Sequence, residues 1–318
     1  MGAYIIRRIL QAILTLIIVV MLVFLTVRLL PGDPLLMYVS QQNMRDVTAE
    51  QLADLRHQFG LDKPLVVQFF DWVGQAAKGD LGVSIISRSK VTDDIRERMP
   101  KSIYIGFLGL LVSSLIGIPA GILAATRRGT WMDNLITSIG NLGMTIPVFW
   151  LGVMLIYVFG LKLNLLPIFG FTSPFKDFGK SILQLIMPIF CLAVPGIAGD
   201  IRLTRSSMLE VMRQDYIRTA WSKGLKEFTI VLKHAIKNGF IPIVTLKGMA
   251  LAGIFGGQVF VEQVFSIPGM GRLAVTSVTS KDYPEIQGIM LIIGILVLAI
   301  NLCVDLSYGW LDPRVRYA

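Results

Sequence analysis

A strongly apolar segment near residue 250 contains two charged side chains, and ionisable groups in such a segment can do chemistry. Lys247 lies inside the segment, and Glu262 lies near its end. An ionisable group in an apolar environment is costly, so it usually serves a function, or its long side chain reaches out to water. Glycines between the two permit close contact with another helix. We interpret these residues as candidates for a pathway wall or a helix interface: Lys247, Gly248, Gly253, Gly256, Gly257 and Glu262.

A polar and basic stretch at 213–240 interrupts the apolar runs and reads RQDYIRTAWSKGLKEFTIVLKHAIKNGF. Asp215 is a good N-cap residue and Gly224 is a natural C-cap, so the spacing predicts a helix over 216–223. Lys223 in its last turn complements the helix dipole. Apolar residues at three- and four-residue spacing predict a second helix over 225–238.

The short helix at 216–223 must pack against something, because an isolated helix of about two turns is not stable in water. Tyr216, Ile217, Ala220 and Trp221 fall on one face. Their aromatic and apolar character is typical of a protein interface. The sequence leaves two alternatives open: this face binds a partner protein, or it packs on the chain's own helices or on lipid headgroups.

The composition indicates the elements that must position these residues. Of 318 residues, 54% are hydrophobic and 16% are charged, against about 25% charged in soluble domains; the mean hydropathy is +0.66. A helix that crosses a bilayer needs about 20 apolar residues. The predicted fold class is an all-α polytopic membrane protein with six transmembrane helices. The predicted spans are 9–28, 102–126, 134–161, 181–199, 239–261 and 286–304.

The distribution of Lys and Arg predicts the orientation. If both termini are placed in the cytoplasm, the short cytoplasmic loops contain more Lys and Arg than the short outer loops, as the positive-inside rule requires. Much of the net charge of +9 then reflects topology. We therefore expect membrane lipid, and no nucleic acid, among the partners.

The segment after the first span, about 30–101, is too long for a simple connection. Thr48 and Gln51 form a capping box before an apolar pattern that ends at Gly60, and a second apolar segment follows at 65–77. We expect a helical extracytoplasmic region that contacts an outside partner or covers the bundle. The predicted domains are 1–30, the first span; 31–101, this loop; 102–304, a five-span core with a cytoplasmic loop at 200–238; and 305–318, the cytoplasmic tail.

Motifs for catalysis, nucleotides and metals are not convincing in this sequence. A phosphate-binding loop needs GxxxxGK[ST], but Pro174 stands where the first glycine of the nearest approach, at 179–181, would have to be. Cys191 and Cys303 lie in apolar runs, outside any metal-binding spacing. We expect no catalytic residue, metal or cofactor in this chain. Paired carboxylates within the spans, which an ion-driven carrier would require, are not found either.

Several short motifs together resemble the permease subunits of bacterial ABC importers. The general signature of that family is Glu-Ala-Ala, then three residues, then Gly. In this chain Arg218, Thr219 and Ala220 stand at the first three positions, before Gly224. This pattern departs from the general signature and is similar to that of the branch that imports peptides and nickel. The resemblance covers nearly the whole chain, in the order of the B-type subunit. The motifs are RLLPGDP (28–34), GLDKP (60–64), GDLG (79–82), IPVFWLG (146–152), RLTR (202–205), VFSIPGMGR (264–272) and LDPR (311–314).

This resemblance implies a type I importer permease fold in a bacterial plasma membrane. The implied partners are a second permease subunit, an extracytoplasmic substrate-binding protein, and two cytoplasmic ATPase subunits that hold ATP and Mg. It implies import of oligopeptides or dipeptides, with nickel, a metallophore or an opine as alternatives. An ion-driven secondary transporter is the alternative outside the family. The residues implied to couple to the ATPase are Asp215, Tyr216, Ile217, Arg218, Thr219, Ala220, Trp221, Lys223 and Gly224.

Overall fold

The computed structural model describes residues 2–29, 49–58, 60–254 and 258–311. Thr48, the first residue of the predicted capping box, lies outside these ranges. Regular structure within them is helical, apart from an isolated antiparallel bridge between Val83 and Lys90. The helices are α1 Gly2–Leu29, α2 Ala49–Gln58, α3 Leu65–Ala77, α4 Val91–Thr126, α5 Trp131–Thr145, α6 Val148–Leu155, α7 Phe178–Val211, α8 Asp215–Ser222, α9 Glu227–Thr229, α10 Ile236–Gly239, α11 Ile241–Ala252, α12 Val259–Val264, α13 Met270–Ser280 and α14 Tyr283–Leu311, with π-helical turns at Ile156–Lys162 and Ile230–Ala235.

Long apolar helices confirm the predicted class of multi-span helical membrane protein. Within the described residues, four helices are long and apolar enough to cross a membrane: Ile5–Leu29, Val91–Thr126, Phe178–Val211 and Tyr283–Leu306. A bent pair of helices, α5 and α6 with its π-helical turn, makes a fifth if it is counted as one span. The predicted count of six spans stays a prediction.

The third predicted span is broken where the sequence contains proline. Helix α5 ends at Thr145, Ile146 is extended (φ −76°, ψ 121°), and α6 starts after Pro147. Proline lacks an N–H group and disfavours helical angles in the residue before it. The two helices meet at an angle of 99°. Helix α7 differs, because it continues through Pro188 and Pro195 without interruption.

The fifth predicted span, 239–261, is not one continuous helix in the described residues. Helix α10 ends at Gly239, and α11 begins at Ile241 with Pro242 in its first turn. Helix α12 starts at Val259, and residues 255–257 lie outside the described ranges. Proline at a helix start is favourable, because the N–H it lacks has no partner there.

The helices form two compact units, residues 1–101 with 269–318 and residues 102–268. In the first unit, α1 packs along α14. The ring of Phe24 contacts Phe69 and Trp72 of α3, and the Arg28 guanidinium lies over the Phe24 and Tyr283 rings. Both segments of the long loop for which helix was predicted are helical, as α2 and α3. The predicted domain boundaries stay a prediction.

A buried carboxylate joins two loops of the first unit. Asp282, which is 1% exposed, accepts hydrogen bonds from the Ser84 hydroxyl and from the backbone N–H groups of Ile85 (3.1 Å) and Ile86 (3.3 Å). Hydrogen bonds to an ionised acceptor are stronger than neutral ones. Asp282 therefore holds the loop before α4 against the turn between α13 and α14.

In the second unit, α4 and α7 approach each other closely. A Cβ atom on Gly117 would lie 2.8 Å from the carbonyl oxygen of Ile197, and one on Gly121 would lie 2.9 Å from that of Ile201. Only glycine fits at these positions, as is typical where membrane helices touch backbone to backbone. Helix α7 also packs against α5, α6, α10 and α11.

Replacement of Asp282 by alanine is expected to destabilise the first unit. Asp282→Ala leaves buried N–H groups without their acceptor, so the free energy of unfolding should fall by about 3 kcal/mol. Thermal unfolding of the detergent-solubilised protein measures this change. Asp71→Ala is the control, because Asp71 pairs with Lys63 at the surface and should unfold like the wild type. Equal losses in both variants would contradict the role assigned to Asp282.

Candidate functional site

Helix α8 lies in the loop where a short helix was predicted, but it begins one residue earlier. The Gln214 carbonyl accepts from the N–H groups of Ile217 (3.0 Å) and Arg218 (3.3 Å), so Gln214 occupies the N-cap position. The prediction that Asp215 is the N-cap is therefore wrong, and Asp215 is the first helical residue. Its carboxylate still interacts favourably with the positive end of the helix dipole and accepts a hydrogen bond from Arg218 at 3.4 Å.

Helix α8 ends at Ser222, one residue before the predicted end, so the C-cap is not Gly224 as predicted. Lys223 is the C-cap residue, and Gly224 has φ +74°. The Gly224 N–H donates to the Trp221 carbonyl at 2.9 Å. A Cβ atom on Gly224 would meet nothing within 4 Å. The position therefore favours glycine for its left-handed backbone angle and not for lack of space.

The apolar face of α8 is divided between the chain's own core and the surface. Ile217 is 0% exposed and Ala220 is 6% exposed, whereas Tyr216 is 42% and Trp221 45% exposed. Successive residues are about 100° apart around a helix, so Ile217 and Ala220 form the centre of this face and the two aromatic residues form its edges. The centre packs inward, and the edges remain accessible.

The buried centre of α8 belongs to a cluster that joins several helices. Ile217 and Ala220 pack with residues from the end of α4, the last turns of α7 and the π-helical turn: Ala125, Met208, Ile230, Val231 and Ala235. In addition, Asn238 of α10 donates a hydrogen bond to the Tyr216 hydroxyl at 2.8 Å. Helix α8 is thus fixed to α4, α7 and α10.

Lys247 of α11 is paired with groups on two other helices. Its Nζ donates to the Ser113 hydroxyl of α4 at 3.0 Å and forms an ion pair with the Asp200 carboxylate of α7. Asp200 is 2% exposed, and the Lys247 side chain is 18% exposed. The lysine therefore joins three helices through one buried polar cluster.

The glycines of the predicted fifth span are only partly described. Gly248 is half-buried and Gly253 is exposed; Gly256 and Gly257 lie outside the described residues. A Cβ atom on Gly253 would meet only carbonyl oxygens of its own helix, those of Met249 and Ala250. Gly253 therefore makes no close contact with another described helix of this chain, and its proposed place at an interface stays a prediction.

Glu262 is buried and does not face water, which was one of the alternatives. It is 0% exposed, and its carboxylate accepts from the Ser102 hydroxyl at 2.5 Å. One turn earlier, Gln258 is 1% exposed, and its side-chain amide has no hydrogen-bond partner within the described residues. These residues form a second polar cluster between α4 and α12.

Sequence reasoning missed the partners of the buried charges. The guanidinium of Arg205 donates to both carboxylate oxygens of Asp133, at 2.7 and 2.8 Å, and Asp133 is 2% exposed. A lysine within an apolar segment requires a counter-charge, and Asp200 lies at the end of the fourth predicted span, so this requirement was the available signal.

Within the described ranges, no group of three or more His, Cys, Asp or Glu side chains could hold a metal ion.

The long apolar helices define a multi-span membrane protein. Its polar loop carries a short helix, α8, that presents two exposed aromatic side chains. Residues 117–317 match the family described as the binding-protein-dependent transport system inner membrane component, and residues 1–106 match the N-terminal region of such membrane components. The chain belongs to this family. It is a multi-pass inner-membrane permease component of a binding-protein-dependent ABC importer, which confirms the resemblance seen in the sequence.

Individual relatives match over the whole chain. A putative peptide transport system permease protein of Brucella abortus is 39% identical over 318 residues, with 100% of both chains covered. A probable peptide ABC transporter permease of Sinorhizobium fredii is 38% identical over 317 residues, with the same coverage. A glutathione transport system permease of Escherichia coli is 39% identical over 314 residues, with 99% of both covered.

Among solved structures, a chain of the inward-facing MetNI methionine ABC transporter has the same fold. The TM-score is 0.55 at 18% identity, covering 69% of this chain and 96% of that one. At this identity the likeness concerns the fold alone. It supports the all-helical importer permease fold that the sequence predicted.

The ion pair between Lys247 and Asp200 can be tested with a double-mutant cycle. Lys247→Met leaves a buried carboxylate unpaired and should lower the free energy of unfolding by about 3–5 kcal/mol. Adding Asp200→Leu removes that charge and should restore most of the loss. Unfolding in detergent measures each variant, with Lys63→Met at a surface pair as the control. Additive losses in the double variant would show that the two charges do not interact.

Proposed function

We propose that this chain is a transmembrane permease subunit for the import of oligopeptides or dipeptides. One observation carries the proposal: three relatives at 38–39% identity and with at least 99% coverage are named as peptide or glutathione permeases. Glutathione is itself a short peptide. Nickel, metallophore or opine import on the same scaffold is the alternative within the family.

The proposed assembly follows from the family. This subunit and a second permease, a homologue or another copy, form the translocation pathway, each with six spans and with cytoplasmic termini. An extracytoplasmic binding protein delivers the substrate. Since no phosphate-binding motif was found in the sequence, two separate cytoplasmic ATPase subunits bind ATP and Mg and supply the energy of ATP hydrolysis. Closure of the ATPases switches the pathway between outward and inward access.

Helix α8 is the proposed contact for the ATPase. Its accessible aromatic residues, Tyr216 and Trp221, have the character of interface anchors. The buried residues Ile217 and Ala220 fix the helix to α4 and α7. A force applied to α8 would therefore be transferred to these long helices instead of being lost in a mobile loop. The remaining coupling candidates on α8, including Arg218 and Thr219, are exposed.

The polar groups of the second unit suit a pathway that binds peptides weakly. Lys247 is neutralised by Asp200, and Glu262 is hydrogen-bonded to Ser102. Charges that are satisfied inside the chain do not hold a charged peptide terminus tightly. Such a pathway transports varied peptides and leaves selection to the binding protein. Lys247, Gly248, Gly253, Gly256, Gly257 and Glu262 remain the candidates for the pathway or the permease interface.

Replacement of Trp221 tests the ATPase contact. Trp221→Ala removes an exposed anchor without touching the buried centre of α8, so copurification of the ATPase from detergent-solubilised membranes should fall about tenfold or more. Trp131→Ala is the matched control, because Trp131 is 72% exposed at the start of α5, outside the α8 loop. The membrane partner should copurify with both variants.

Three results of this pull-down would count against the coupling role. Full retention of the ATPase by Trp221→Ala places the contact elsewhere on the loop. An equal loss with Trp131→Ala indicates a general effect of surface aromatic residues. Failure of wild type to retain an ATPase, even after gentle crosslinking, removes the coupling proposal altogether.

Uptake measurements in cells distinguish the proposed substrates. Deletion of the gene for this chain should abolish uptake of a labelled dipeptide or tripeptide and leave nickel uptake unchanged. Uptake should persist in the presence of a protonophore when the cells still contain ATP. Loss of nickel uptake alone supports the family alternative, whereas protonophore-sensitive peptide uptake supports an ion-driven carrier.

A further inference from the structure

A cleft of about 810 Å³ lies between α5 and α7 in the second unit, and the proposed mechanism does not use it. Its lining combines basic, polar and small apolar side chains. Three of the lining residues are arginines on α7 or just after it: Arg202, Arg205 and Arg213. A cleft of this size with several basic groups can hold an anionic ligand.

Two of these arginines are available to such a ligand. Arg205 is held in position by its two hydrogen bonds with Asp133. The side chains of Arg202 and Arg213 are exposed and make no hydrogen bond or ion pair within the described part of the chain. Arg202 and Arg205 lie one turn apart on α7, and Arg213 follows the end of that helix. All three line the same cleft.

The basic part of the cleft lies at the level of a membrane interface. The ion pair of Asp133 with Arg205 places Arg205 beside the first turn of α5, where Trp131 is 72% exposed. Exposed tryptophan at the end of an apolar helix is typical of the headgroup region. The following turns of α5 expose Leu135 and Ile139, as a surface in contact with lipid chains does.

The cleft changes from polar to apolar along α7. Toward the middle of that helix its lining is mainly small or apolar, with Gly140, Ala198 and Ile201, and the polar side chains of Thr137 and Asn141 lie on the α5 side. Near the arginines, Ser206 and Glu210 provide a hydroxyl group and a hydrogen-bond acceptor. This order matches a phospholipid, which has a phosphate and polar headgroup at one end and a hydrocarbon chain at the other.

We propose that this cleft binds an anionic phospholipid, with its headgroup beside Arg202 and Arg213 and an acyl chain along Gly140 and Ile201. Basic pockets between transmembrane helices bind anionic headgroups in this way. A headgroup with free hydroxyl groups, such as glycerol, can also donate to Glu210. Because Arg213 and Gln214 lead directly into α8, the bound lipid lies beside the loop assigned to ATPase contact.

Lipid titration of the full-length chain, extracted with its membrane partners, tests the site. Native mass spectrometry in a non-ionic detergent measures binding of phosphatidylglycerol, with phosphatidylcholine as the neutral reference lipid. Arg202→Gln with Arg213→Gln should weaken phosphatidylglycerol binding about thirtyfold, since each basic residue contributes about 1 kcal/mol. Phosphatidylcholine binding should not change.

The matched control removes the same charge outside the cleft. Arg127→Gln with Arg128→Gln changes two exposed arginines in the loop before α5 and should leave phosphatidylglycerol binding within about threefold of wild type. Equal weakening in both double variants means diffuse charge attraction and overturns the proposal. So does inorganic phosphate that displaces the lipid at equal concentration, or a cleft variant that loses the ATPase but keeps the lipid.

Discussion

Helix α7 carries a buried carboxylate and a partly exposed guanidinium, and each is paired with a charge on another helix. Asp200 pairs with Lys247 of α11, and Arg205 pairs with Asp133 of α5. A buried charge that loses its partner costs about 3–5 kcal/mol. The two pairs therefore restrict the arrangement of α5, α7 and α11, and α7 is the element around which the second unit is organised.

The first of these pairs depends on the close approach of α4 to α7. Gly117 and Gly121 allow the backbones to touch, and a Cβ atom on Gly196 of α7 would lie 2.8 Å from the Cβ of Ser113. The Ser113 hydroxyl is within reach of Lys247 only because these positions carry no larger side chain. These small residues therefore affect electrostatics as well as packing, because they let the Ser113 hydroxyl accept a hydrogen bond from the Lys247 ammonium group.

Sequence reasoning succeeded where the cause is local and failed where it is distant. The left-handed backbone at Gly224 depends on one residue, so its type is sufficient to predict it. Proline type is not sufficient, because the helix breaks at Pro147 but continues through Pro188 and Pro195. The partner of Lys247 lies 47 residues away in sequence, on a helix whose position only the fold determines. The fifth predicted span illustrates the same limit. Hydropathy predicts one apolar segment there, but it carries no information on where a helix ends, so it did not predict that α11 ends at Ala252 and α12 begins at Val259.

The face of α8 shows why the sequence pattern alone left two alternatives open. Packing of this face on the chain's own helices is confirmed, and its contact with a partner protein stays a prediction. Periodicity places Tyr216, Ile217, Ala220 and Trp221 on one arc of the helix but cannot say how much of that arc the rest of the chain covers. The structure covers its centre and leaves its edges accessible. In the proposed mechanism this division is useful, because a helix that must transmit a force needs one surface anchored in its own bundle and another available to the partner. An α8 with its whole apolar face exposed would bind an ATPase and transfer little motion to α7.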